Sequence, residues 1–316
     1  RQENRKSVEL ALVYYDIGRD KETLLTETAK ADELWHELET LCGLYKAWAE
    51  QEEHHREQRD ALLANLRFPF PDFRPRQRQL AETVYKNSVR AGTLLLEAPT
   101  GLGKTLGTLF PALMAMPAAR QDRLFYLTCR NTARQLALDA VDKLQHARDE
   151  LQPWPLRILE LVSKDDACEH PDKACHGDSC PLAKGFFDRL PDARAEAVQS
   201  KEPLTQETLA NIAAGHDICP YFLAQEMARW SDLVIVDVNR LFDQSALLHG
   251  LIRQNHWQAS VLVDEAHNLV DRARGMYSVQ LEQQRLLKLK KTAPKPVKAA
   301  LDRTARAWQA LIRDHG

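Results

Sequence analysis

The chain has 316 residues, of which 44% are hydrophobic and 28% are charged, and its formal net charge is −2 at pH 7. This composition is typical of a globular protein of about two domains and excludes a disordered chain. No apolar run approaches the ~20 residues of a membrane helix, and the near-neutral charge means that any nucleic-acid surface must be local.

The N-terminal part predicts a hairpin followed by one long helix. Strands are predicted at residues 8–15 and 23–26, and Gly18 lies in the turn between them. A helix is predicted over residues 28–66. Its apolar residues are spaced four and three apart and draw one seam: Leu34, Leu38, Leu41, Tyr45 and Trp48.

The later part of this helix differs in character. Residues 50–60 are strongly charged, so we expect this part to project partly into solvent. His54 and His55 lie in this stretch and are expected on the solvated surface rather than as metal ligands. Cys42 lies near the apolar seam and is expected to be a core residue rather than a ligand.

Beyond residue 66 the sequence alternates between predicted strands and helices. Residues 68–75 form a Pro-rich break, which predicts a domain boundary. Strands are predicted at residues 93–97, 123–128, 156–162, 232–238 and 260–264, and helices at residues 76–90, 106–116 and 131–146. This alternation implies an α/β fold, with a parallel sheet covered by helices on both faces.

A phosphate-binding loop is predicted where the sequence reads Ala98-Pro-Thr-Gly-Leu-Gly-Lys-Thr105. Its glycines let successive N–H groups point inward as an anion-binding nest, and the following helix N-terminus adds a favourable dipole. We expect Lys104 to reach the β- and γ-phosphates of a nucleotide and the Thr105 hydroxyl to bind Mg²⁺. The residues expected to contact the nucleotide here are Thr100, Gly101, Gly103, Lys104 and Thr105.

A second motif favours this interpretation over a glycine-rich turn that caps an ordinary helix. The predicted strand at residues 260–264 ends in Asp264-Glu-Ala-His267, which places carboxylates at its carboxyl end. We expect Asp264 to hold Mg²⁺, directly or through water, and Glu265 to orient and deprotonate the attacking water. His267 completes the box as a further catalytic candidate.

The segment at residues 163–229 breaks the alternation and contains four of the six cysteines. Thiolates suit either Zn²⁺ or an iron–sulfur cluster. Three close cysteines and a distant fourth favour a [4Fe–4S] cluster, while His170 and His176 keep zinc open. A proline follows both Cys180 and Cys219, which predicts that both lie at helix N-termini. The candidate ligands are Cys168, Cys175, Cys180 and Cys219.

The same segment is expected to depend on its metal. Apolar residues are few before Pro220, and small units of this kind generally need metal or disulfide staples. Six cysteines beside nucleotide machinery point to the cytoplasm, and to metal or redox chemistry rather than disulfides.

The C-terminal part is predicted to be helical, polar and basic from about residue 275. Residues 283–313 contain nine Lys/Arg and one acidic residue, Asp302. A solvated helix and a phosphate-facing surface are both compatible with this pattern.

The phosphate loop, the Asp-Glu-Ala-His box and the four-cysteine insertion between them together resemble the XPD/DinG family of superfamily 2 DNA helicases. The resemblance covers about residues 68–277 and implies a RecA-like motor domain that uses ATP and Mg²⁺. It also implies a [4Fe–4S] cluster on the four cysteines and 5′-to-3′ movement on single-stranded or forked DNA. A bacterial-type, nucleoid-associated protein of the cytoplasm is the expected context, with no membrane partner.

The resemblance also implies roles for further residues. The run Phe70-Pro-Asp-Phe-Arg-Pro-Arg-Gln77 looks like the family's adenine-side element, which places Arg74 and Gln77 at the base. Residues 126–132 look like a motif that touches the DNA backbone, and residues 232–243 resemble the family's strand and Asn-Tyr element. Arg240 stands where Tyr is usual. DNA contacts are therefore implied for Thr128, Arg130, Asn131, Asn239 and Arg240.

The expected domain organisation follows from the resemblance. The first motor domain is expected at residues 67–162 and 230–274, and the iron–sulfur insertion at residues 163–229. The start of a basic, arch-like helical domain is expected at residues 275–316. The hairpin and long helix of residues 1–66 are similar to the end of a RecB-like nuclease domain. The chain lacks an initiator Met, and we expect a fragment whose second motor domain, with its arginine finger, lies beyond Gly316. Such a fragment is expected to bind ATP but to hydrolyse it poorly.

Two alternative functions remain open from the sequence. The first is a helicase–nuclease fusion whose nuclease core lies upstream of Arg1. The second is a zinc-bearing nucleic-acid binding module with a vestigial NTP site.

Overall fold

The computed structural model describes residues 6–99, 101–148, 153–243 and 246–315. It begins with an antiparallel ribbon of β1 (Ser7–Asp16) and β2 (Lys21–Lys30), in which Asp16 pairs with Lys21 across the turn. The long helix α1 (Ala31–Ala64) follows directly. The predicted hairpin and long helix are confirmed.

A four-stranded parallel sheet lies at the centre of the rest of the chain. Its strands are β3 (Arg123–Thr128), β4 (Ile158–Leu161), β5 (Leu233–Asp237) and β6 (Ala259–Val263), in the order β4-β5-β3-β6. The remaining helices are α2 (Gln77–Val89), α3 (Lys104–Ala118), α4 (Asn131–His146), α5 (Lys164–Ala167), α6 (Phe186–Gln199), α7 (Gln206–Gly215), α8 (Pro220–Met227), α9 (Asn239–Phe242), α10 (Leu247–Asn255), α11 (Leu269–Met276), α12 (Gln283–Thr292) and α13 (Lys295–His315).

Alternate side chains of the interior strands enter two hydrophobic clusters, one on each face of the sheet. Leu124 and Tyr126 of β3 pack with α2, α3, α4 and the end of α1. Phe125 and Leu127 pack on the other face with α6, α7, α8 and α10. Because helices cover both faces, the strands read as continuous apolar runs, and the predicted α/β class is confirmed.

The predicted strand at residues 93–97 is not part of this sheet. Residues 92–99 have no regular secondary structure, and Leu95 is 90% exposed. Among the described residues β6 forms the edge beyond β3. A strand needs a ladder partner as well as an apolar sequence, and this segment gains burial mainly through Leu94, which packs against the cluster of α2 and α3.

The charged part of α1 docks against the amino-terminal ends of the sheet strands. Asp232, directly before β5, is 1% exposed and lies 3.0 Å from His55 Nε2 and 3.1 Å from Arg59 Nη1. The expectation of a solvated His55 is therefore wrong, while His54 is exposed as predicted. The seam spacing of four and three residues continues beyond Trp48 to His55 and Arg59, so these polar side chains share the face of the apolar ones.

Ion pairs fix this contact between α1 and the sheet. Burial alone would raise the pKa of the Asp232 carboxyl, but the hydrogen bond and charge of His55, with two neighbouring arginines, lower it to about 2. A further pair joins Glu52 of α1 to Arg157 Nη1 at 2.9 Å. Leu63 and Leu66 then enter the cluster of α2 and α3. The end of α1 therefore shares its core with the sheet.

The helices of the cysteine-rich segment are not held by a core of their own. Apolar side chains of α6, α7 and α8 belong to the same cluster as Phe125 and Leu127 of the sheet. Leu204 also bridges to Leu159 of β4. The expectation that the whole segment folds around a metal is therefore wrong for these helices, because the sheet face buries them. It remains an expectation for residues 168–185.

The C-terminal part contains the basic helices α12 and α13. Leu286 of α12 and Ala305 of α13 are buried, and Lys290 Nζ lies 2.7 Å from Asp302 Oδ1. Across the described ranges, no helix combines the length and the apolar character needed to cross a membrane.

Candidate functional site

The phosphate loop places its glycines in a conformation that other residues avoid. Gly101 and Gly103 have φ of +84° and +79°, in the left-handed region where a Cβ atom is strained. A Cβ on Gly103 would also lie 2.4 Å from Gln77 Nε2. Because Gly103 is the N-cap of α3, Lys104 and Thr105 occupy the first turn of that helix. The free N–H groups of such a turn attract anions.

The predicted adenine-side residues hold the backbone of this loop. Arg74 Nη1 donates to the Gly101 carbonyl at 2.6 Å, and Gln77 Nε2 donates to the Gly103 carbonyl at 3.1 Å. Gln77 Oε1 accepts the Arg74 backbone N–H at 3.0 Å, and the Gln77 residue is 3% exposed. The amide of Gln77 therefore retains one N–H and one lone pair for a further partner.

The Asp-Glu-Ala-His box follows β6 at the carboxyl end of the sheet. The backbone N–H of Asp264 donates to the Leu127 carbonyl at 2.9 Å, which ties the start of the box to β3. Glu265 has φ of +50°, a conformation that costs a non-glycine residue about 1–3 kcal/mol and that clusters at functional sites. Burial and the neighbouring Glu265 raise the pKa of the Asp264 carboxyl. A bound cation would favour its ionised form.

The two predicted motifs meet in the structure. Lys104 Nζ lies 3.5 Å from Glu265 Oε1, and His267 Nδ1 lies 3.3 Å from Glu265 Oε2. All three side chains are partly exposed, and Asp264 is the adjacent residue. The predicted catalytic residues are therefore brought together at one edge of the sheet, at the start of α3.

Tyr126 belongs to the same site and was missed by the sequence analysis. It is 2% exposed, and it lies near Thr105, Asp264 and Glu265. Burial and these carboxylates raise its pKa, so the phenol stays protonated. The available signal was a hydroxyl within the apolar run at residues 124–127 of β3, because a buried hydroxyl requires a partner.

The residues predicted to contact DNA after β3 differ in exposure. Thr128 is 1% exposed, and its carbonyl accepts the Val238 N–H at 3.0 Å. The Thr128 side chain is buried where β3 runs between β5 and β6, and its DNA contact stays a prediction. Arg130 is exposed. Asn131 begins α4, but its side chain, like the whole of Thr100, lies outside the described residues.

The residues predicted to contact DNA after β5 face the cysteine-rich segment. The Asn239 N–H donates to Asp237 Oδ1 at 2.9 Å. The side-chain oxygen of Asn239 is buried and has no hydrogen-bond partner among the described residues. The Arg240 guanidinium carbon lies 5.7 Å from the centre of the Tyr221 ring, within range of a cation–π contact. Arg240 also donates to the Val162 carbonyl at 3.4 Å.

The four predicted metal ligands line one pocket, together with Lys164 and His170. Cys219 is the N-cap of α8, which confirms its predicted helix N-terminus. Burial raises the pKa of its thiol. The matching prediction for Cys180 is wrong, because turns follow Pro181 and α6 begins only at Phe186.

The donor set fits a thiolate-bound metal group in its chemistry and in its place. Cys168, Cys175, Cys180 and Cys219 converge on the pocket, and none of them forms a disulfide. The thiol of Cys175 lies near Lys164 and raises the pKa of the lysine. Within the described ranges, no group of three or more His, Cys, Asp or Glu side chains is arranged to hold one metal ion. The four cysteines therefore line one pocket, but their thiols are not arranged as the complete set of ligands around one metal ion.

Comparison with known proteins gives a consistent set of relatives. A family model described as DEAD_2 matches residues 135–286. The chain is 24% identical over 232 residues to the general transcription and DNA repair factor IIH helicase subunit XPD/RAD3 of Saccharomyces cerevisiae, covering 64% of this chain and 29% of that protein. It is also 24% identical over 255 residues to a regulator of telomere elongation helicase 1 homolog of Anopheles gambiae, covering 65% of this chain and 25% of that protein.

A solved structure described as an XPD helicase has a TM-score of 0.51 at 17% sequence identity, covering 75% of this chain and 40% of that chain. At this identity the likeness shows the fold alone. The chain spans less than a third of the length of the yeast and mosquito relatives. The DEAD_2 match includes the cysteine-rich segment, β5, β6 and the box. Through the DEAD_2 match and these two relatives, the chain is similar to helicases of the XPD and telomere-elongation regulator type.

Proposed function

We propose that this chain is the ATP-binding motor unit of a DNA helicase that moves on single-stranded DNA. The observation that carries the proposal is the contact of Lys104 with Glu265 at 3.5 Å across a sequence separation of 161 residues. A lysine at the end of a glycine loop and a carboxylate after a parallel strand are the two halves of an NTP site. Relatives that are named helicases support the same reading.

The proposed nucleotide chemistry uses the contacts already present. The loop N–H groups and Lys104 bind the phosphates, while Thr105 and Asp264 hold Mg²⁺. The phosphates replace Glu265 as the partner of Lys104, and the freed Glu265 carboxylate then orients and activates the attacking water. Tyr126 lies beside Thr105, and its phenol is placed to orient the Thr105 hydroxyl.

The proposed base contacts lie on the α2 side of the loop. Gln77 offers its remaining N–H and lone pair to adenine, in keeping with the paired donor and acceptor of an amide. Arg74 is exposed and supplies a planar cation beside it. Since both side chains also bond the loop carbonyls, base binding and loop conformation are linked.

The proposed DNA contacts lie where β3 and β5 end. Arg130 and Asn131 follow β3, and Asn239 and Arg240 follow β5. The movement from 5′ to 3′ rests on family resemblance, and the substrate is single-stranded or forked DNA. We also propose that hydrolysis at helicase rates requires a second motor domain, because an arginine finger contributes about 10³–10⁵-fold in related NTPases.

The proposed metal group is a [4Fe–4S] cluster held by Cys168, Cys175, Cys180 and Cys219. When bound, the cluster would cross-link the loop after α5 to the start of α8 through iron–thiolate bonds. Four converging thiols support this assignment. Arg240, stacked against Tyr221, places the motor residues after β5 beside the same pocket.

Two binding measurements on the intact chain test the proposal. We expect a fluorescent ATP analogue to bind in the presence of Mg²⁺ and to be displaced by unlabelled ATP. We expect a single-stranded oligonucleotide to bind more tightly than a duplex of the same length, with affinity that falls as salt rises. Absence of nucleotide binding at millimolar concentration would contradict the proposed function. Equal or weaker binding of the single strand would contradict the proposed DNA class.

A further inference from the structure

Helix α11 begins two residues after His267 and contacts both loops that carry the proposed DNA residues. At its middle, Arg272 Nη2 donates to the Cys129 carbonyl at 2.8 Å, directly after β3. At its end, the Tyr277 hydroxyl donates to the Phe242 carbonyl at 3.2 Å, at the end of α9. One helix attached to the Asp-Glu-Ala-His box therefore bonds both loops.

Arg272 bonds the first backbone carbonyl beyond the end of β3. The Leu127 carbonyl accepts the backbone N–H of Asp264, and the Thr128 carbonyl accepts that of Val238. Cys129 provides the next carbonyl, the first beyond the strand, and a side chain from α11 bonds it instead of a neighbouring backbone. Arg272 thus holds the chain at the point where it leaves the sheet towards Arg130.

The contact with Tyr277 repeats this arrangement on the other loop. The helix α9 has four residues, starts with Asn239 and ends with Phe242. A hydrogen bond to its last carbonyl therefore acts on an element of one turn. The two acceptors are backbone carbonyls, so both contacts constrain the main chain of the loops and not merely a side chain.

We propose that Arg272 and Tyr277 are positioning residues that couple nucleotide binding at the box to single-stranded DNA binding after β3 and β5. This inference rests on the proposed function and adds the physical link between its nucleotide site and its DNA-binding loops. When phosphates take Lys104 from Glu265, the box is free to move, and α11 follows as its direct continuation. The loops then follow α11 through two hydrogen bonds. Such coupling is reciprocal, so DNA must change nucleotide affinity by the same factor.

The test uses the 316-residue chain, a labelled oligothymidylate and a non-hydrolysable ATP analogue with Mg²⁺. The coupling factor is the ratio of the DNA dissociation constants with and without the analogue, and the reverse titration measures it a second time. Coupling factors between ligand sites are typically about 5–150-fold. We expect Arg272→Ala to bring the factor close to one while each ligand alone still binds. Arg272→Lys, which keeps one donor, should retain part of it, and Tyr277→Phe should lower it.

The matched control is Arg274→Ala on the same helix. Arg274 pairs with Asp271, an exposed neighbour, at 3.2 Å. Within the described residues its side chain forms no hydrogen bond or ion pair with either loop, so its removal should leave the factor unchanged. Thermal unfolding of each variant separates lost coupling from lost fold.

The outcomes separate this inference from the proposed function. If the unchanged chain binds neither ligand, the proposed function fails. If it binds both and shows no coupling, or if Arg272→Ala keeps the full factor in a folded protein, the inference is overturned and the proposed function stands.

Discussion

Two glycines of the phosphate loop are required for different physical reasons. At Gly101, with φ of +84°, an added Cβ meets nothing within 4 Å, so only backbone strain opposes a side chain. At Gly103, with φ of +79°, the added Cβ also strikes the Gln77 amide at 2.4 Å. The loop therefore depends on Gly103 both for its own turn and for the contact with α2.

This difference predicts an order of effects on nucleotide binding. Gly101→Ala should weaken ATP binding by about tenfold, because left-handed strain costs roughly 1–2 kcal/mol. Gly103→Ala should weaken it further, because it also displaces Gln77 from the Gly103 carbonyl. Isothermal titration of both variants checks the order. Equal affinities of the two variants would show that the contact with Gln77 contributes nothing.

Asp232 is the residue on which the docking of α1 depends most. Asp232→Asn would remove the buried carboxylate that His55 and Arg59 share and would leave Arg59 with Asp60 as its ion-pair partner among the described residues. Removal of one partner of a buried pair costs about 3–5 kcal/mol. Because the pKa of Asp232 is lowered to about 2, its stabilising effect is complete above the unfolded pKa of about 4. It is then lost as the pH falls from about 4 towards 2.

Urea unfolding of the wild-type chain and of the Asp232→Asn variant measures the contribution of Asp232 to stability. The difference in the free energy of unfolding should be present at pH 5 and above and should shrink below about pH 4. Asp271→Asn, at an exposed carboxylate on α11, is the control and should cost little at any pH. A difference that is absent at pH 7, or that persists unchanged at pH 2, contradicts the role given to Asp232.

At the scale of elements, the two halves of α1 have different surroundings. The first half carries exposed apolar side chains along the predicted seam, including Leu38 at 48% and Leu41 at 57%. The second half is buried at Arg59, at 2%, and Leu63, at 0%. One continuous helix face thus passes from solvent to the core of the sheet.

A pair of leucine truncations tests this division. Leu63→Ala should destabilise the chain by about 2–5 kcal/mol, because it removes fully buried methyl groups and leaves a cavity. Leu38→Ala removes the same atoms from an exposed site and should change stability by less than about 0.5 kcal/mol. The midpoints of chemical unfolding decide the matter. A large loss for Leu38→Ala would mean that the seam is covered in solution.

The sequence predicted those elements whose own residues determine them. The bounds of β3 and α4 agree with the structure, because an apolar run and its flanking polar residues mark both ends. The strand at residues 93–97 failed, since pairing depends on a partner that the run itself does not contain. His55 failed because its partner, Asp232, lies 177 residues away and charge alone suggests solvent.

In the candidate site, too, local sequence patterns predicted some features, and others depend on the fold. The phosphate loop and the box were predicted because each is a local pattern with a known chemical role. The contact between these motifs, and the place of Tyr126 beside Thr105, depend on how parallel strands converge and cannot be read from either motif alone. The contact of Arg272 with Cys129 joins a side chain to a backbone carbonyl, which leaves no trace in a residue pattern.

At the scale of the whole molecule, the cysteine-rich segment combines a metal pocket with helices that share the core of the sheet. The anaerobically purified chain should contain iron and acid-labile sulfide, and Cys219→Ser should lose both. Because the sheet buries α6, α7 and α8, that variant should keep its helix content by circular dichroism. Cys42→Ser and Cys129→Ser should retain full iron content.

Iron and sulfide assays on these variants, with zinc measured in parallel, check this prediction. Stoichiometric zinc without sulfide would replace the cluster by a zinc site. An equal loss of iron on changing Cys42 would contradict the assignment of the four ligands, since Cys42 is exposed on α1 and does not line the pocket.

If the loop before α3 and the box after β6 form one nucleotide site, the affinity of the chain for Mg²⁺–ATP must depend on Lys104. We predict that Lys104→Ala abolishes measurable binding while the thermal midpoint stays unchanged, because Lys104 is partly exposed and leaves no core cavity. Lys143→Ala, at an exposed lysine of α4, should bind as the unchanged chain does. Unchanged ATP affinity in a folded Lys104→Ala protein would contradict the account.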